Sequence, residues 1–501
     1  MKPMGTITKY YPFIDEESKS ILNSLMEESS SYYDFVQRLS EVVIEREVPT
    51  NLAYIATVQA WWCRLEVQMK SIYEKYNNVD WIKPWVYYHG SLERDQVLQH
   101  DAVVQSIEAA IDSSLQDWIE TELHLLHALF HHPFGEVLSL YEPLEKAKKL
   151  IKANPLLSCF ESLIYTFEGH AKARERETKE GLVALRKGRD LAERYDDALY
   201  KYMNMLEEGN ILRCVNAKDA SSVFEELYAL AIDIDAPYFI CDVLNDSAIV
   251  FETTGEYDLA ISCHLEILKI LGKLHPSDTL WILVSRIYAT LGDGLQALEW
   301  INKGLESSFP FKSSVMLALK AWTLALLNRI EEAERFLDAA QELIFKSGME
   351  VTLGLYYQIS GVIDLKKGNF LTALESMQRA WEIAERCSSG TNQNRALLDL
   401  ARAEIFIDNQ SQDRSKVVAP GRWLSKLEKF AVERDLPGIR MYAALLKSEF
   451  YQNHRQLKDA HAILVEALSI TDSLGVATLR KKVKDRIQEI NRLIREEELV
   501  P

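Results

Sequence analysis

Apolar residues recur every three to four positions through almost the whole chain, and strict apolar–polar alternation is nowhere sustained. A 3.6-residue period gathers such residues on one face of a helix, whereas a period of two marks a strand. The pattern therefore predicts helices from end to end. Prolines punctuate it. Pro49, Pro133, Pro155, Pro237, Pro276, Pro310 and Pro437 fall between the periodic segments, where a missing N–H does least harm. Residues 156–167 and 177–193 read as one helical hairpin, and 197–215 and 217–232 as another. Ser222 and Glu225 have the spacing of a capping box at the start of the last of these. Residues 27–34 read as a polar connection, and 409–416, which lack any apolar residue, as the most loop-like stretch.

The second half of the chain repeats itself. Five segments align on a small residue in the second helix of a pair: Ala260, Ala297, Ala333, Ala373 and Ala460. The first four are 37, 36 and 40 residues apart, and the last lies 87 further on, which suits two units with a degenerate one between. Twelve positions earlier stand Ala248, Ser285, Ala321, Gly361 and Ser448; nine earlier, Phe251, Tyr288, Leu324, Asp364 and Tyr451. Five earlier stand Gly255, Gly292, Asn328, Gly368 and Arg455, and seven later Ile267, Gly304, Ala340, Ala380 and Ala467. Small residues let two helices cross closely, and Gly or Asn between helices can take positive φ and end the first one. A single hairpin cannot bury its own apolar faces, so such units must stack.

These columns resemble the tetratricopeptide-repeat superfamily. The run through Trp281, Ser285, Tyr288, Gly292 and Ala297 is the nearest match, followed by Tyr357, Gly361, Gly368, Ala373 and Ala380. The usual period there is about 34 residues; the longer one here is similar to the long-repeat sensor solenoids of the maltose-regulator type. The resemblance implies an all-α fold, a right-handed superhelical solenoid of antiparallel helix pairs. Residues 1–150 are expected to form a helical N-terminal region, with diverged repeats favoured over a separate helical domain. Residues 151–475 are expected to form the repeats, and 476–501 a polar C-terminal capping helix and tail.

Composition narrows the chemistry. Gly and Pro number only 20 and 13 in 501 residues, too few for an all-β chain. The net charge of −18 divides as −10 over residues 1–150, −12 over the middle and +4 from residue 411 onward. An acidic body disfavours direct nucleic-acid binding. The basic run Arg480, Lys481, Lys482, Lys484 and Arg486 reads as a solvated helix face. Six cysteines without CxxC spacing suit reduced thiols and a cytoplasmic location. No signal peptide is read at the start and no membrane span elsewhere; the apolar stretch 52–63 is too short and reads as an ordinary helix face.

Two clusters invite a functional reading. His124, His127 and His131 share one helix face, a spacing that can hold zinc. HExxH and a second ligand-rich segment are missing, so the expectation is a partly exposed cluster and no metal, with these three as weak candidates. Trp61, Trp62, Trp81, Trp85 and Trp118 crowd the N-terminal region and are expected to fill its core. Phosphate loops and nucleophile elbows are not found. The expectation is a non-enzyme without a cofactor.

The resemblance also implies a concave groove lined by the first helix of each unit. Carrying its inward positions over gives Asn245, Ile282, Arg286, Leu319, Trp322, Gln358, Ile359 and Glu449 as the partner-binding set. They read as an apolar groove for a helix or peptide segment of a protein partner. The implied function is an interaction scaffold or adaptor; the alternative is a regulatory sensor that responds to a small ligand or peptide and acts through a partner protein.

Overall fold

The computed structural model describes the chain apart from residues 1–3, 87–95, 115, 132–136, 176, 255, 272–283, 287, 290–291, 307–309, 348–349, 387–389, 411–420, 435, 475–476 and 499–501. Every regular element among the described residues is helical, as the apolar period requires. None of these helices is long and apolar enough to cross a membrane. The chain divides into two compact units. The first comprises 1–211, 222–244 and 309–311; the second comprises 212–221, 245–308 and 312–501.

In the second unit, the helices from Ile330–Ser347 onward each pack on their neighbours in sequence. The hairpins include Pro310–Leu326 with Ile330–Ser347, Glu350–Lys367 with Phe370–Arg386, and Pro437–Asn453 with Leu457–Leu474. The degenerate unit is also a hairpin, Gly390–Gln410 with Arg422–Glu433. Gly421 begins its second helix without a capping side chain, and the Glu404 carboxylate of the neighbouring helix supplies the cap, accepting the N–H groups of Trp423 and Leu424. The closing helix Ala477–Glu498 buries Val483 and Ile490 against Leu457, Ala460 and Leu464.

The repeat columns coincide with the mechanics of each hairpin. All five aligned alanines are 0% exposed. At Gly361 an added Cβ would lie 2.6 Å from Met377 Cγ and 2.9 Å from the Ala373 carbonyl, so the two backbones meet at the paired small residues. The turn column carries the positive φ: +86° at Gly292, +61° at Asn328, +82° at Gly368 and +57° at Arg455. In each, the following N–H reaches the carbonyl nine positions before the alanine; Asn369 N donates to Asp364 O at 2.9 Å and Gln456 N to Tyr451 O at 2.8 Å. This is the Schellman closure, which satisfies carbonyls that a helix end leaves open. Gly255, Trp281, Pro133, Pro276 and residues 411–416 lie outside the described residues.

The first unit buries a set of polar groups within its apolar core. The Thr50–Trp62 helix is buried on nearly all sides, from Leu52 to Ala60, rather than presenting one apolar face. Its Gln59 and Tyr54, together with Tyr10, Tyr32, Glu122 and Trp85, form a connected network: Tyr10 donates to Glu122 at 2.7 Å, Gln59 to the Tyr10 hydroxyl at 3.2 Å, Trp85 to the Tyr54 hydroxyl at 3.2 Å, and Tyr32 to Gln59. Beside it Lys9 pairs with Asp197 at 2.8 Å and lies 3.6 Å above the Tyr200 ring. Asp197 also caps the following helix by accepting the N–H groups of Leu199 and Tyr200. Trp118 packs edge-on to Tyr10 and Tyr54, so the tryptophan excess serves packing here.

Two sequence expectations need correction. Ser222 does not start a helix; it lies inside Ala217–Ile234, whose cap is Asn216, accepting from Lys218 N and Asp219 N. Asn216 supplies the short acceptor side chain at the true chain reversal. His124 is 4% exposed rather than partly solvated, because its helix buries several successive positions, including Leu125 and Leu126.

Burial is the main force that raises the Glu122 carboxyl to about 7; Lys9 and the Tyr10 and Tyr54 hydroxyls oppose it. The folded state therefore holds this proton more tightly than the unfolded chain. Its stabilising contribution is complete below the ordinary value of 4.5 and is lost as pH rises to about 7. Urea unfolding is expected to show stability falling across that window in the wild type and a flatter profile in Glu122→Gln. In the second unit, Gly361→Ala is expected to cost about 1–3 kcal/mol by overpacking. Arg455→Gly, which relieves a left-handed residue, is expected to gain about 0.5 kcal/mol. Opposite shifts of the urea midpoint would check both.

Candidate functional site

Several of the second unit's first helices contribute to a common cavity of about 460 Å³. Glu252 comes from Pro237–Thr254, Arg286 from the next unit, and Trp322 and Leu326 from Pro310–Leu326. The largest share comes from the degenerate unit, whose Gly390–Gln410 helix contributes Asn394, Arg395, Leu398, Asp399 and Arg402. Ile439 and Tyr442 of Pro437–Asn453 complete the wall. A second cavity of about 600 Å³ shares Arg402 and Tyr442 with the first and adds Phe406, Leu445, Glu449 and Arg486.

In the first cavity the charged side chains among the described residues form ion pairs, except for Arg395. Arg286 lies 2.7 Å from Glu252, the two side chains being 12% and 14% exposed. Arg402 lies 3.3 Å from one oxygen of Asp399, and Gln358 donates to the other. Arg395 is different. Its guanidinium lies 4.2 Å from the centre of the Trp322 ring, a cation–π placement. Among the described residues it donates no hydrogen bond and forms no ion pair. Burial, followed by the nearby Arg286 charge, lowers its pKa to about 10, with Glu252 and Asp399 opposing. It remains cationic at neutral pH. Beside it Asn394 is 5% exposed, and its side-chain oxygen has no partner among the described residues. Behind Arg286, His264 is fully buried; burial and the Arg286 charge push its pKa down to about 3, so the ring is neutral.

The expected groove set divides. Arg286 and Trp322 line the first cavity, and Gln358 orients Asp399 in its wall. Glu449 lines the second cavity and accepts from Asn409 at 3.3 Å. Leu319 and Ile359 are 2% and 1% exposed, within the core of the unit. Asn245 is half-buried, its amide 3.5 Å from Asp246. Ile282 lies outside the described residues. Sequence reasoning missed Asn394, Arg395, Asp399, Arg402 and Tyr442. The helix that carries most of them lacks the alanine columns, so no register pointed to its inward face. One signal was available: Arg395, Asp399 and Arg402 stand at i, i+4 and i+7 on an otherwise apolar segment.

Of the histidine candidates, His124 Nε2 lies 3.7 Å from Glu120, and burial lowers its pKa to about 4. His127 is half-buried, and the side chain of His131 lies outside the described residues. No group of three metal-ligating side chains occurs among the described residues.

No family profile matches the sequence, and no curated protein matches it. Solved structures do show a likeness. A Rap protein complexed with competence and sporulation factor is 12% identical with a TM-score of 0.40, over 76% of this chain and 99% of that one. A human IFIT1 dimer with m7Gppp-AAAA is 15% identical with a TM-score of 0.43, over 80% and 87%. A signal-transduction ATPase of the STAND type with a tetratricopeptide-repeat sensor, from Pyrococcus horikoshii, is 14% identical with a TM-score of 0.36, over 77% of this chain and 62% of that one. Scores this low carry no functional argument. The tetratricopeptide-like, all-helical architecture stands on the chain's own stacked hairpins.

The Glu252–Arg286 pair can be tested by a double-mutant cycle. Removing one partner from a buried pair leaves the other charge uncompensated, at about 3–5 kcal/mol for full burial. With partial exposure, Glu252→Gln and Arg286→Gln are each expected to cost about 2 kcal/mol. The double variant is expected to cost less than the two together, read from urea midpoints.

Proposed function

We propose that the chain is a non-enzymatic binding module that holds an extended segment of a protein or peptide partner across the two linked cavities of its second unit. The observation that carries this reading is their shared wall. Arg402 and Tyr442 belong to both, so a ligand can run from Glu252 past Arg402 and Tyr442 to Arg486 of the closing helix. The first cavity alone is of ordinary ligand-site size. Its lining is largely apolar but carries five charged side chains, Glu252, Arg286, Arg395, Asp399 and Arg402, and Leu319 and Ile359 are occupied in the core. Those facts favour an extended segment with polar groups over a purely apolar helix. Trp322, Leu398, Ile439 and Tyr442 supply apolar contact area, and the paired charges set register. The free thiols of Cys63, Cys159 and Cys241, all buried, suit a reducing cytoplasmic compartment. The second reading, a sensor for a small effector that signals through a partner protein, is favoured by the size of the first cavity taken by itself.

Panning a random decapeptide library against the full chain tests the reading. Selected peptides are expected to lose at least tenfold in affinity with Trp322→Ala and with Tyr442→Ala, read by fluorescence anisotropy. Selection of no peptide, or of peptides indifferent to both substitutions, would remove the segment-binding reading.

A further inference from the structure

The cavity holds three arginines and two carboxylates. Each carboxylate is engaged: Glu252 by Arg286, and Asp399 by Arg402 and Gln358. Arg395 alone among the lining cations has neither an ion pair nor a hydrogen bond among the described residues, and its guanidinium carbon lies 4.2 Å from the centre of the Trp322 ring. Arg395 is half-buried, and Glu252 and Asp399 act on it only from beyond ion-pair distance, so its charge is incompletely matched in the free protein. The neighbouring Asn394 amide is similarly unused, its oxygen buried and unpaired among the described residues.

We infer that Arg395 is the seat for a single carboxylate of the bound segment, an Asp or Glu side chain, with the Asn394 amide bonding the polar group beside it. This rests on the segment-binding reading above and deepens it. One uncompensated cation matches one negative charge. A phosphate dianion would bring a second charge into a wall that already carries Glu252 and Asp399, so the cavity selects the carboxylate. The fork of a guanidinium also matches a carboxylate's two oxygens.

The test uses the full chain and three pools of acetylated, amidated decapeptides with random flanks and a fixed central Asp, Asn or phosphoserine. The Asp pool is expected to bind at least tenfold more tightly than the other two, and this preference is expected to vanish in Arg395→Gln. Because that substitution removes a half-buried cation without an ion pair, the variant is expected to melt no lower than the wild type, an outcome that a merely structural arginine would not give. Trp322→Phe, which retains an aromatic face, is expected to keep the preference at reduced affinity. Equal binding of the pools, or an Asp preference that survives Arg395→Gln, would overturn the carboxylate seat while leaving segment binding intact. Binding of no pool would overturn both. If N-acetylaspartate amide alone raises the melting temperature in an Arg395-dependent manner while no pool binds, the seat takes a free small carboxylic acid, and the acidic-segment proposal is overturned.

Discussion

The close crossing of two helix backbones within each hairpin is the constraint on which the second unit depends. A Cβ at Gly361 would press on Met377 and on the carbonyl of Ala373, and the five aligned alanines are wholly buried. Close approach leaves little freedom in where the first helix ends. The end is set by a left-handed residue and by an N–H that returns to the last turn. With both features repeated, successive first helices present their faces to one another. That arrangement, rather than any single residue, creates a cavity whose wall draws on several units.

Polar burial is mostly matched by partners in both units, although single atoms such as His124 Nδ1 and Asn204 Oδ1 of the first have none among the described residues. In the first, Lys9 and Asp197 satisfy one another, and hydroxyls and amides link Tyr32, Gln59, Tyr10 and Glu122. Such a network suits a core that must adopt one arrangement, since each member is costly if left unpaired. Glu122 is its titrating member, raised by burial. In the second unit, most charges around the cavity are also paired, but Arg395 and Asn394 are not satisfied among the described residues. Unspent capacity of this kind in an accessible cavity is what distinguishes a place for a ligand from a well-packed interior.

The degenerate unit shows how the two demands meet. Its Gly390–Gln410 helix buries Ala396, Leu397, Leu400, Ala401 and Ala403 as packing surface. The remaining stripe bears Arg395, Asp399 and Arg402. It departs from the repeat columns yet keeps the hairpin, with Glu404 capping the next helix where the chain offers only Gly421. The repeat is thus least regular where it contributes most to the cavity.

The sequence by itself determined the helical class, the hairpin rhythm and the alanine and turn columns, because those features are local: a period of 3.6, a small residue at a crossing, a left-handed residue at a helix end. It also marked Arg286 and Trp322 through register. It did not reveal that Thr50–Trp62 is buried on nearly all sides, since an apolar helix looks the same whether one face or all of it is covered. Nor did it reveal which charged residues would be paired. Arg286 finds Glu252 34 residues away and Gln358 finds Asp399 41 residues away. Only the packing of helices from different units decides such partnerships, and with them which arginine is left over to meet a ligand.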